Sequence, residues 1–135
     1  MNNQVYNECI EISKECYIYY ECMTDGKFDI NKFEYNIDWP VISWWQTVSE
    51  EFIREFNDKV NWCNISHHQK LSDEFIREFK DRFDWNGISR CQTLSEEFIC
   101  GHLDKIDIGW LFENENITLT KEFKDKITIL KMLIE

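Results

Sequence analysis

A 23-residue period running through residues 38–106 constrains this chain more than any other feature. Three segments follow one another without a gap: DWPVISWWQTVSEEFIREFNDKV (38–60), NWCNISHHQKLSDEFIREFKDRF (61–83) and DWNGISRCQTLSEEFICGHLDKI (84–106). Trp39, Trp62 and Trp85 mark the spacing. A unit of this length cannot bury its own apolar face, so neighbouring copies must stack and share a core. A fainter fourth copy, DIGWLFENENITLTKEFKDKI (107–127), carries Ile108 at the tryptophan position. Its Leu119, Thr120 and Phe123 match Leu94, Ser95 and Phe98 once two residues are inserted. Upstream, FDINKFEYNI (28–37) reads as a partial copy.

Each copy predicts two helices. Asp38, Asn61 and Asp84 are suited to cap a short apolar helix, and Pro40 falls in its first turn, where a missing N–H costs nothing. Ser49, Ser72 and Ser95 then cap a second helix, expected to be the longer one. The acidic pairs Glu50–Glu51, Asp73–Glu74 and Glu96–Glu97 follow at once, where negative charge offsets the helix dipole. Phe52, Ile53, Phe56 and Val60 form a helical apolar stripe. Residues 1–37 predict a cap made of one long helix ending near Asp25–Gly26. Residues 107–135 predict the degenerate copy and a C-terminal helix with Phe123, Ile127, Leu130 and Ile134 inward. The expected fold is therefore a single all-α domain over 1–135, a small α-solenoid or superhelical array of helix-turn-helix repeats.

Composition bounds the partners. The net charge is −11, divided as −4 over residues 1–37, −5 over 38–106 and −2 over 107–135. Such a surface repels nucleic-acid phosphates and anionic lipid and favours a protein partner with a basic surface. No run approaches the apolar length of a membrane span, and the Met1 end lacks the pattern of a signal peptide. The expectation is a cytoplasmic protein whose six cysteines are reduced thiols, with no cofactor.

The wording around Trp39/62/85, Ile42/65/88, Ser43/66/89, Gln46/69/92 and the Ser-acidic-acidic-Phe-Ile segments resembles short helical repeats of bacteriophages and large DNA viruses. The resemblance covers about half of the chain clearly. It implies no catalytic residues. It does imply a viral accessory or host-interaction protein, in a setting such as the small acidic phage proteins that inhibit host defence nucleases, CRISPR nucleases among them.

The copies serve as controls for one another. The tryptophans, Ser43/66/89 and Gln46/69/92 recur and read as structure, the glutamines hydrogen-bonding backbone at the turn between helices. Function is sought where the copies differ. Trp44–Trp45 becomes His67–His68 and then Arg90–Cys91, and Pro40–Val41 becomes Cys63–Asn64 and then Asn86–Gly87. Trp44, Trp45, His67, His68, Arg90 and Cys91 are thus the candidate partner-binding edge, with Glu50, Glu51, Asp73, Glu74, Glu96 and Glu97 as an acidic ladder beside it, able to mimic phosphates. No metal site is expected, since no CxxC or HExxH spacing occurs. The alternatives are a metal-dependent or hydrolytic enzyme using Cys63, His67, His68 and His102, and a homo-oligomer covering an apolar face left open by the last copy. Cys100–Gly101–His102 replace Arg, Glu and Phe in the third copy. They predict a helix that bends or ends early there, the competing expectation being that His102 keeps a place in the core row.

Overall fold

A computed structural model describes all 135 residues, Met1–Glu135. The chain is mostly helical, with ten α-helices and one two-stranded hairpin, and it divides into two compact units, Met1–Asn61 and Trp62–Glu135. No helix is long and apolar enough to cross a membrane.

The first unit begins with α1 (Asn3–Glu15), whose N-cap Asn2 accepts from the Val5 N–H. Val5, Cys9 and Ile12 line its buried face, as the spacing predicts. The helix stops ten residues before Asp25–Gly26, which corrects the expectation of one long helix. Tyr17 turns the backbone left-handed (φ 60°), and the N–H groups of Tyr17 and Ile18 reach back to the carbonyls of Lys14 and Ser13, a Schellman closure. A 3-10 turn (Tyr20–Cys22) leads into strands β1 (Met23–Thr24) and β2 (Lys27–Phe28). Asp25 and Gly26 both have positive φ (51° and 75°), as the tight turn between paired strands requires. Helix α2 (Ile30–Asn36) follows, and then the first full copy, α3 (Trp39–Trp45) and α4 (Glu50–Glu55). Phe33, Phe52 and Phe56 are fully or almost fully buried, and the half-buried Trp39 ring covers Phe52 and Phe56.

The second unit holds α5 (Trp62–His68), α6 (Asp73–Glu78), α7 (Trp85–Cys91), α8 (Glu96–Gly101), α9 (Ile108–Phe112) and α10 (Lys121–Ile134). Helix α5 packs on α7, and α7 on α9. Asp84 and Asp107 cap the short helices, and Ser72, Ser95 and Thr120 cap the following ones, so the fourth copy obeys the pattern despite its insertion. The Ser-capped helices α4, α6 and α8 span six residues each, no longer than the seven-residue helices before them, because the chain turns at Phe56, Phe79 and His102. The third copy does not end early: α8 has the length of α4 and α6, and His102 is its C-cap as Phe56 and Phe79 are theirs. The imidazole lies flat against Phe98 (centroids 4.1 Å apart) and Trp85 (5.8 Å), so a ring still fills the ring position.

The recurring serines join copies to one another. Ser43, Ser66 and Ser89 each donate the hydroxyl to the tryptophan carbonyl four residues back, at 2.7, 2.6 and 2.7 Å. The same oxygens accept the N–H of Asn61, Asp84 and Asp107, the first residue of the next copy, each at 3.0 Å. Gln92, almost fully buried, donates to the Ser66 and Gln69 carbonyls and accepts from the Leu71 N–H. Asn114 does the donating in the fourth copy, to Ser89 and Gln92. These are buried backbone groups at helix ends, which would be costly without partners.

Candidate functional site

The residues that vary between copies sit on the short helices and just beyond them. In the first unit, Trp44 and Trp45 end α3 and are 45% and 75% exposed, with ring centroids 6.2 Å apart. Two adjacent indoles on one helix cannot both enter the same core, and here both face solvent.

In the second unit, His67, His68, Cys91, Thr93 and Asn116 line a groove of about 330 Å³. His67, His68 and Cys91 of the candidate edge therefore share one depression. Arg90 instead lays its guanidinium over the Trp110 ring at 4.7 Å and borders a second groove with Glu113 and Glu115. Burial, with His67 alongside, pushes the His68 imidazole below its ordinary value, and burial pushes the Cys91 thiol up.

The acidic ladder divides. Asp73 accepts a hydrogen bond from the Ser95 hydroxyl at 2.8 Å, tying the start of α6 to the start of α8. In the first unit, Glu8 of α1 does the same for Ser49, accepting from its N–H (2.7 Å) and hydroxyl (2.6 Å). Glu51 pairs with Arg54. Glu74, Glu96 and Glu97 are exposed at the first turns of α6 and α8, and Glu50 is half-buried. Part of the ladder is thus tied into neighbouring helix starts, and part is exposed.

One group of side chains has metal-ligating chemistry: Cys63, His67 and Asp84, with ligand atoms all within 4.8 Å of one another. Asp84 Oδ2 lies 3.7 Å from Cys63 Sγ and 3.8 Å from His67 Nε2. Burial, then the charge and hydrogen bonding of Asp84, raises the Cys63 thiol above its ordinary value. His68 and His102, named with Cys63 and His67 in the enzyme alternative, do not belong to this group. His102 is engaged by the Phe98 carbonyl at 2.9 Å and by its ring contacts. Sequence reasoning gave Asp84 only as a helix cap, and it placed Gly87 among the variable positions without a role. The available signal was the period itself: a residue 21 positions after Cys63 opens the next copy, and α7 packs on α5.

The six cysteines are free thiols. No protein-family model, curated protein or solved structure matches the chain.

Proposed function

We propose that the chain is a non-catalytic protein-binding module that contacts its partner through Trp44 and Trp45 and prefers a basic surface. The observation that carries this reading is the exposed indole pair, 45% and 75% accessible on a helix whose counterparts hold His67–His68 and Arg90–Cys91. Aromatic side chains held on a rigid helix lose little entropy on contact, and tryptophan is enriched among residues that dominate binding energy. The charge of −11 supplies long-range attraction to a cationic partner. A nuclease or other nucleic-acid-binding protein, with its basic groove, fits this chemistry, as does the anti-defence setting that the resemblance implies. Regular superhelical stacking of all copies belongs to the same proposal, and the recurrence of the serine joint supports it.

The test is retention of a partner from lysate of the candidate host by immobilised wild-type protein and by the Trp44→Ala/Trp45→Ala variant. The expected result is a protein held at low salt, released at high salt and lost with the double variant, which still unfolds cooperatively in urea. Equal retention by both proteins sinks the reading.

A second reading, homo-oligomerisation, is favoured by α10. Ile129, Met132 and Leu133 are 60%, 69% and 77% exposed and recur at i, i+3, i+4 on the face away from Phe123 and Ile127.

A further inference from the structure

We infer that Cys63, His67 and Asp84 form a binding site for a divalent transition-metal ion of the zinc type, joining the second copy to the third. Zinc bonded at its usual lengths to sulfur, nitrogen and oxygen in a tetrahedron sets ligand atoms about 3.3–3.6 Å apart. The separations of 3.7 Å (Sγ to Asp84 Oδ2) and 3.8 Å (His67 Nε2 to Asp84 Oδ2) are a few tenths of an ångström wider, and all three ligand atoms lie within 4.8 Å of one another, so rotation of the exposed Cys63 side chain has to bring the thiol to the imidazole.

The imidazole is already set for coordination. Its Nδ1 lies 2.8 Å from the Cys63 carbonyl oxygen, which can only accept, so Nδ1 carries the proton. Nε2 then holds the lone pair, on the side of Asp84. A backbone carbonyl on the distal nitrogen is the usual support for a metal-bound histidine. Asp84 divides its oxygens: Oδ1 accepts the Asn86 N–H and caps α7, while Oδ2 faces the thiol and the imidazole.

Gly87 is the independent observation. A Cβ at this position would stand 2.7 Å from His67 Cε1 and Nδ1, so the imidazole rests where a side chain would be. The matching positions in the other copies are Val41 and Asn64, which both carry one. Three departures from the repeat therefore converge on one point: Cys63 where the first copy has Pro40, His67 where it has Trp44, and Gly87 where both other copies have a side chain. A core-filling explanation does not account for all three, since Cys63 is exposed and His67 only half-buried.

On binding, Cys63 enters as thiolate and its proton passes to solvent. Thiolate and carboxylate together balance the dication, and the neutral imidazole completes three protein ligands. The exposed side of Cys63 leaves a fourth position for water, so binding is expected to be weaker than at a closed four-ligand structural site.

The experiment is titration of the reduced full chain with cobalt(II), followed by competition with zinc(II). The wild type is expected to bind one cobalt per chain with a thiolate-to-cobalt charge-transfer band and tetrahedral visible bands, both removed by zinc. Cys63→Ser should abolish the charge-transfer band. Asp84→Asn, which keeps a capping side chain, and Gly87→Ala should each weaken binding at least about tenfold. Cys91→Ser should leave the spectrum unchanged. Zinc should raise the melting temperature of the wild type and not of Cys63→Ser, which reads the site independently of the cobalt spectrum. Absence of the band in folded wild-type protein, its persistence in Cys63→Ser, or its loss in Cys91→Ser overturns the assignment.

Discussion

At the scale of single residues, Ser43, Ser66 and Ser89 each use the hydroxyl both as donor and as acceptor. Ser89→Ala deletes the acceptor of the Asp107 N–H. It is expected to lower stability by about 1–3 kcal/mol, read as a drop in urea midpoint with unchanged slope. A second residue-scale effect concerns Cys9. Burial, reinforced by Glu8 and Glu34, pushes its thiol from the ordinary 9.0 up to about 12. A folded-state value raised above the unfolded one contributes stability that is complete below the unfolded value and lost as the pH climbs toward the folded one. Stability should therefore decline from about pH 9 upward, and Cys9→Ala should flatten part of that decline in urea melts compared at about pH 8 and about pH 10.5. The recurrence of the serines was legible as structural, but not the joint they make. Nothing in three identical letters says that the hydroxyl meets the main chain 18 residues on.

At the scale of elements, six- and seven-residue helices are too short to persist alone and exist because caps and neighbouring copies hold them. Their starts were legible in the sequence, since Asp, Ser and Thr announce an N-terminus chemically. Their ends were less so. Helix α1 closes through Tyr17, a left-handed residue that is 91% exposed, where glycine would be the ordinary signal. Tyr17→Gly relieves that conformation without removing buried surface and is expected to raise stability by about 1 kcal/mol, measured by urea melts. The Asp25–Gly26 pair was read as a helix stop, whereas it is the turn of a hairpin; the two short strands beside it carry too few residues to show alternation. His102 misled in the opposite sense. A polar residue suggested a break in α8, but imidazole is flat enough to stack where phenylalanine does. His102→Phe restores the ring that Phe56 and Phe79 supply in the other copies and should shift stability by less than about 1.5 kcal/mol, read as the urea midpoint.

At the scale of the whole molecule, the sequence declared the mainly helical class and the period. The convergence of Cys63, His67, Asp84 and Gly87 required knowing which faces of α5 and α7 meet. Ladder acids committed to other helices could not be separated from exposed ones by spacing alone, because all of them stand at helix starts. Asp73 and Glu8 became distinguishable only through the serines they accept from. If the exposed stripe on α10 joins two chains, the mass measured by light scattering should rise with concentration. Leu133→Glu should hold it at 16.5 kDa, the mass of one chain. A constant 16.5 kDa for the wild type would exclude this reading while leaving the tryptophan surface untouched.

The serine joint has a consequence for heredity. It addresses only the main chain of the next copy, so it is satisfied by Asn61, Asp84 or Asp107 alike. A gene encoding such joints can gain or lose 23 codons at a time and still specify a closed connection. Excising residues 84–106 would bring Asp107 directly after Phe83, offering its N–H to Ser66 in place of Asp84.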